Sequence, residues 1–372
     1  ITNGNSNSGG GGIYINNSSP TLKDLKIINN SSDRGGGIYC DNTNTNISNI
    51  IIENNSSTVG GGGINIFGDS PIISNTIIKD NSSRFGGGIN IADYTTPTLY
   101  NILIYNNEAD DFGGGMLIDG HAEPILINLT ITRNQASKGD GIYNVWDARP
   151  KILLNSIVTH NYGHEVYWHQ MFGDISNPPT MFISNSNIYG SVITNNCGIM
   201  EYLTPNINAN PLFIDTVNGE YNLSDYSICI GAGADSIQSE GIWYVTSTTD
   251  VENNQRPNPA GSNPDIGTYE HVLGNPLVMG CTDSGACNYD QLADTDDGSC
   301  VYCSCQTTCS GHGTCVDGVG SYTCTCNSYY SGTNCETDID ECATDNGGCG
   351  DATYYTCTNN AGASPTCADI DE

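Results

Sequence analysis

The sequence predicts an all-β chain in two parts, a parallel β-solenoid of about 25 residues and three short strands per coil, then small modules stapled by disulfides. Three observations predict it. A glycine cluster followed by an apolar residue recurs, two asparagine series keep step with it, and fourteen of the seventeen cysteines fall after residue 280.

The glycine cluster stands at Gly10 to Gly12 before Ile13, Gly35 to Gly37 before Ile38, Gly61 to Gly63 before Ile64, Gly86 to Gly88 before Ile89 and Gly113 to Gly115 before Met116. A degenerate copy, Gly139 and Gly141, precedes Ile142. Successive spacings are 25, 26, 25, 27 and 26 residues. The first polar series is Asp24, Asn49, Asn75, Asn101, Asn128 and Asn155; the second, six residues later, is Asn30, Asn55, Asn81, Asn107, Asn134 and Asn161.

Strands follow from β-branched residues at alternating positions. Leu22, Ile47, Ile73, Leu99, Leu126 and Leu153 precede the first series by two residues, and Ile27, Ile52, Ile78, Ile104, Ile131 and Val158 follow it by three. These are the predicted inward positions. The alternation skips a beat at the Asn itself, which marks a corner, because Asn tolerates the left-handed conformation. Asn49, Asn75 and Asn101 are expected to stack at that corner and hydrogen-bond from coil to coil. Glycine supplies the same freedom at the next corner. Ser32, Ser57, Ser83, Ala109 and Ala136 are small enough to point inward. The period breaks in an aromatic, His-containing insertion near 162–180 and resumes at Ile183 to Ile188.

Charge narrows the partners. Forty-one acidic and ten basic residues give a formal charge of −31, which argues against nucleic acid and anionic lipid and makes divalent cations the natural counter-ions. No apolar run of about 18 residues encodes a membrane span, and no Met-initiated signal peptide is present. The chain opens inside one repeat series and closes on Asp369-Ile370-Asp371-Glu372, a copy of Asp338-Ile339-Asp340-Glu341. It reads as a piece of a longer exported protein.

The Gly-Gly-apolar and apolar-x-x-Asn repeats, as in Gly35-Gly36-Gly37-Ile38 and Ile52-Glu53-Asn54-Asn55, resemble those of secreted right-handed parallel β-helix proteins of the pectin-lyase-like superfamily, polymorphic outer-membrane proteins among them. Segments Asn210 to Asp215, Tyr221 to Gly233, Arg256-Pro257-Asn258 and Asp265 to Glu270 resemble the end of many such bacterial helices. The expected β-helix domain is 1–272.

Cys281, Cys287, Cys300 and Cys303 mark a module at 280–303 that resembles a short repeat of secreted marine bacterial proteins, with their pairing open. Its Asp290, Asp294, Asp296 and Asp297 are a candidate Ca²⁺ cluster. At 304–336, Cys305, Cys309, Cys315, Cys324, Cys326 and Cys335 have the spacing of an epidermal-growth-factor (EGF) module. That resemblance implies the bonds Cys305–Cys315, Cys309–Cys324 and Cys326–Cys335. At 337–368, Asp338-Ile339-Asp340-Glu341-Cys342 and Cys357-Thr358-Asn359-Asn360 resemble a calcium-binding EGF module with four cysteines, and 369–372 begins a further repeat. The resemblance implies a structural Ca²⁺ held by the side chains of Asp338, Glu341 and Asn359, with carbonyls from Ile339, Asn360 and Ala363, and bonds Cys342–Cys357 and Cys349–Cys367. Three cysteines remain: Cys40, in an inward slot as a buried thiol, and Cys197 with Cys229 as a candidate pair.

Sequons at Asn16, Asn17, Asn29, Asn30, Asn46, Asn54, Asn55, Asn81, Asn128 and Asn222 are glycan candidates in a eukaryotic source. Catalysis has weaker support. Hydrolysis needs two carboxylates across a sugar site, and only Asp110 or Asp111 with Asp119, and Asp140 with Asp147, offer neighbouring coil positions. His160, His164 and His169 sit among aromatics. The expected function is that of an extracellular structural or adhesive protein, free of nucleic acid and assembling with itself, other extracellular proteins or glycans. One form is a filament or flagellar-hair component, since hair proteins of some protists also carry EGF modules. The alternative is a polysaccharide lyase, glycoside hydrolase or lectin.

Overall fold

The computed structural model describes residues 1–145, 148–169, 178–194, 198–203, 205–286, 288–301, 309–318 and 321–370. The chain forms two compact units, Ile1–Pro276 and Leu277–Glu372.

The first unit is a parallel β-solenoid with three sheets, each strand pairing with its counterpart one coil away. Among the described residues, one sheet has six strands and includes Ser31–Arg34, Ser56–Gly60, Ser82–Phe85 and Glu108–Phe112. A second has eight, among them Ile38–Asp41, Ile64–Phe67, Ile89–Ala92 and Met116–Ile118. The third is bent at the first polar series, where Asp24, Asn49, Asn75, Asn101, Asn128 and Asn155 all have φ between 46° and 56°. That is the predicted corner. Amides stack there too: Asn49 donates to Asp24 at 3.1 Å and Asn101 to Asn75 at 2.9 Å.

Glycine is required at the other corner for two reasons. Gly35 has φ of 62°, and a Cβ on Gly36 would lie 2.4 Å from the Ser56 carbonyl oxygen of the next coil. Inside, the isoleucine columns form one continuous core. Each fully buried aliphatic side chain stabilises the fold by roughly 1.5–3 kcal/mol. Cys40 occupies its inward slot between Ile15 and Ile66, fully buried, and burial pushes its thiol up to about 12.

The second asparagine series is an internal ladder. Asn30, Asn55, Asn81, Asn107 and Asn134 are each at most 1% exposed. Each side-chain amide donates to the amide oxygen one coil on, at 2.9 to 3.0 Å, and the same oxygen accepts the backbone N–H of the residue before it in the ladder. Asn161 closes the series on Glu165, donating to Oε2 at 2.8 Å. Burial pushes the Glu165 carboxyl up to about 7.

The insertion expected near 162–180 is in part a coil of the solenoid. Val166–His169 pairs in parallel with Ile142–Val145, and Trp168 points inward, fully buried. Repeat spacing fails there because the glycine cluster is lost, Glu165 standing one coil on from Gly141. Residues 170–177 lie outside the described residues.

The end of this unit folds back over the outer face of the bent sheet. Tyr221, Val251 and Tyr269 pack on Leu103 and Tyr105; Leu223, Ile230 and Ile266 on Ile157; Tyr244 on Ile127, Ile152 and Leu154. Polar groups fasten it. Arg256, 3% exposed, reaches Glu270 Oε2 at 2.7 Å, Asn101 Oδ1 at 3.1 Å and the carbonyls of Gly267 and Tyr269 at 3.0 Å. Thr268 and Gly267 donate to Thr130 Oγ1 and the Asn155 carbonyl. No described helix is long and apolar enough to cross a membrane.

The second unit is built of short strand pairs and disulfides. Cys309–Cys324, Cys326–Cys335, Cys342–Cys357 and Cys349–Cys367 are bonded, the pairs that the EGF resemblance implies. Cys281 bonds Cys300. Cys315 is also disulfide-bonded, while Cys287, Cys303 and Cys305 lie outside the described residues.

Candidate metal centre and the other predicted sites

Asp338 ends the short strand Thr337–Asp338, which pairs with Tyr330–Ser331. Two residues on, the Asp340 side chain accepts from Cys342 N–H at 3.0 Å and caps the 3₁₀ turn Glu341–Ala343. The Cys342–Cys357 bond ties this turn to the hairpin Tyr355–Asn360 and Ala363–Asp369. Asn359 comes from that hairpin, and Gly362, with φ of 74°, makes its tight turn.

These elements converge on one carboxylate. Asp338 accepts from Gly362 N–H at 2.8 Å and from Asn359 Nδ2 at 2.9 Å. The second bond leaves the Asn359 amide oxygen for another partner. Both oxygens of Glu341 are buried and make no hydrogen bond. A bare buried carboxylate costs several kcal/mol unless a cation faces it. Two carboxylates and an amide are hard oxygen donors of the kind that Ca²⁺ takes, so the residues present fit the ion that the sequence implied. Asn360 braces the hairpin instead, its amide donating to Ser364 O and Thr366 Oγ1 on the opposite strand. The Ile339 N–H donates to the Tyr329 carbonyl and sets the approach of the two modules.

The other candidate cluster is corrected. Asp290, Asp294, Asp296 and Asp297 each spend a carboxylate oxygen on a backbone N–H, of Leu292, Val278, Gly298 and Ser299. No group of three His, Cys, Asp or Glu that could hold a metal forms among the described residues. These aspartates are turn-formers, as their spacing with Gly and Ser allows.

The candidate Cys197–Cys229 bond is corrected too. Cys229 is a free, fully buried thiol that accepts from Asn187 Nδ2 at 3.3 Å, and burial pushes it up to about 11. Cys197 lies outside the described residues.

The sequons divide by side. Asn16, Asn17, Asn29, Asn46 and Asn54 are exposed and Asn222 half-buried. Asn30, Asn55 and Asn81 are rungs of the internal ladder, and Asn128 is fully buried at its corner. No glycan can be carried at those four in the folded chain. Adjacent sequon residues separate because the one before the rung, Asn29 or Asn54, is left-handed and turns the chain inward.

Two of the acidic positions on the coils, Asp111 and Asp140, are engaged individually. Asp111 pairs with Arg84 at 2.8 Å, and buried Asp140 accepts from the N–H groups of Ala136 and His164. Asp147 lies outside the described residues. His160 is edge-on to Tyr189, and His164 and His169 pack about Tyr167.

No family model matches the chain, and no solved structure does. Among curated proteins, vitamin K-dependent protein C of Oryctolagus cuniculus is 38% identical over 66 residues, 17% of this chain and 14% of the relative. Protein C of Mus musculus is 43% identical over 47 residues, 12% of this chain and 10% of the relative. A cubilin homolog of Caenorhabditis elegans is 47% identical over 58 residues, 14% of this chain and 1% of the relative. The chain therefore spans about a seventh or less of the length of these relatives, and what it is similar to is a short stretch of each.

Proposed function

We propose that this chain is an extracellular structural or adhesive protein, in which the solenoid is a stiff scaffold and the disulfide-rich unit a calcium-stiffened spacer. The observation that carries the reading is the way each unit is held. One is held by an unbroken core and amide ladder, the other by disulfides, which persist in an oxidising, extracellular setting. Asp338, Glu341 and Asn359 would hold the ion, with the carbonyls of Ile339, Asn360 and Ala363 completing its oxygen shell. Bound there, Ca²⁺ neutralises the bare Glu341 and fixes the 3₁₀ turn against the hairpin.

Two measurements test this. Calorimetric titration of the intact chain should resolve a saturable Ca²⁺ site with a dissociation constant on the order of 0.1–1 mM. Glu341→Ala should weaken that site at least about tenfold; identical isotherms for the two chains would remove calcium from the reading. Incubation with uronate-rich and neutral polysaccharides should release neither reducing ends nor unsaturated sugars. Release at catalytic rates would make the protein a carbohydrate-active enzyme instead.

A further inference from the structure

The outer face of the eight-stranded sheet carries a groove of about 390 Å³. Its lining runs in columns, one residue per coil. Along the corner stand Arg34, Gly60, Phe85 and Phe112, in register across coils. Along the middle stand Asn65, Asn90 and Leu117, and beside them Phe67 and Ala92, followed by Asp119; Tyr39 and Asp41 continue these two columns one coil beyond the groove. Phe85 and Phe112 stack at 5.8 Å and form a raised edge, which stops at Gly60. Asn90 donates to Asn65 at 2.7 Å, yet its own Oδ1 is buried and has no partner. Arg34 makes no ion pair with a described residue, unlike Arg84, Lys79 and Lys151.

We infer that this groove is a self-association surface, and that its occupant is the same face of a second copy, with the coil order reversed. A two-fold axis lying along the strands, midway between the Gly60 coil and the Phe85 coil, keeps each column opposite itself. Large residues then meet small ones: the ring of Phe85 enters the space above Gly60, and Phe67 lies over Ala92. Asn65 falls opposite Asn90, beneath the aromatic side chains. Arg34 meets the ring of Phe112, a favourable placement for a cation. Tyr39 meets Leu117. The adverse pair is Asp41 opposite Asp119, at the edge, where the Asp41 carboxylate is already bound by Tyr14 Oη at 2.8 Å and Asn16 Nδ2 at 2.6 Å.

Size sets the strength. Six overlapping coils of four-residue strands cover roughly 400 Å² per copy, about half of a standard interface. The dimer is therefore weak and must be sought at high protein concentration.

The test is sedimentation velocity of the intact chain from about 5 to 300 μM. Wild type should move from monomer toward dimer across that range. Gly60→Phe and Phe85→Gly should each weaken association at least about tenfold, and the double variant, in which raised edge and hollow change places, should return to within about threefold of wild type. Arg34→Glu, on an exposed side chain outside the core, should weaken it by about tenfold and keeps the test open if Phe85→Gly misfolds. A chain that stays monomeric throughout, a double variant no better than the singles, or indifference to Arg34→Glu each overturns the proposal. So does saturable binding of an oligosaccharide or a peptide in the groove by a strictly monomeric chain.

Discussion

Asn107→Ala is expected to lower the unfolding midpoint of the solenoid unit by roughly 10 °C, equivalent to about 3–5 kcal/mol. The two amide hydrogens are shared among three acceptors, the Ile78 and Tyr105 carbonyls and Asn134 Oδ1, and the amide oxygen accepts two bonds, from the backbone and side-chain N–H groups of Asn81. Alanine supplies none of them. The Asn81 donors would be left buried and unpaired, and each such group costs about 1–3 kcal/mol. Asn107→Asp should be no better, because it keeps the acceptor but loses the donors and buries a charge beside Asn134 Oδ1. Asn46→Ala, on an exposed strand position, serves as the reference and should change stability by less than about 0.5 kcal/mol. Thermal unfolding followed by circular dichroism decides it; equal midpoints for Asn107→Ala and Asn46→Ala would show that the ladder contributes little.

Arg256→Met should detach the folded-back segment at a cost of about 3–5 kcal/mol. One guanidinium stands there among three buried carboxylates, Asp250, Asp265 and Glu270. Burial, and Glu270 beside it, already push Asp265 up to about 7. Without Arg256, Glu270 loses its charged partner and the segment loses its bridge to Asn101. Arg256→Lys should recover little, since a single ammonium cannot reach the four acceptors that the planar fork contacts. Hydrogen exchange at Gly267 and Thr268 reads the result. Protection there should fall at least about a hundredfold while the isoleucine core stays protected, and unchanged protection would mean that apolar packing alone holds the segment.

Much of the solenoid was legible because its inward positions repeat. Strict recurrence of Ile and Leu about the first polar series marked the core, and the skipped beat at Asn49 or Asn75 marked a corner that is left-handed in the structure. The second series was visible as a period, but its role was not. Asn54 and Asn55 are the same residue type in overlapping sequons, and only the left-handed turn at Asn54 sends one outward and the other into the ladder. The fold-back fastening was harder to read. Arg256 and Glu270 lie in short motifs that resemble the end of other β-helices, but their partner Asn101 is 155 residues from Arg256, and no local pattern links them. The residues proposed to hold calcium come from two sequence segments that the Cys342–Cys357 bond joins, whereas Asp290 to Asp297 misled because clustered aspartates also cap turns. The groove went unread because its columns are built from one residue per coil at outward positions, where no hydrophobic period draws attention.

The amide ladder has a direction. From Asn30 to Asn161 every side-chain amide gives a hydrogen forward along the stack and, from Asn55 on, receives at its oxygen from the asparagine behind, so the side-chain bonds run head to tail and polarise one another. Such a series cannot simply stop: its last amide must find an acceptor that asks for nothing further. Glu165 fills that place, as an oxygen without an amide hydrogen to pass on. The solenoid thus carries its own terminator, and the position of one carboxyl group limits how many asparagine coils the series can count.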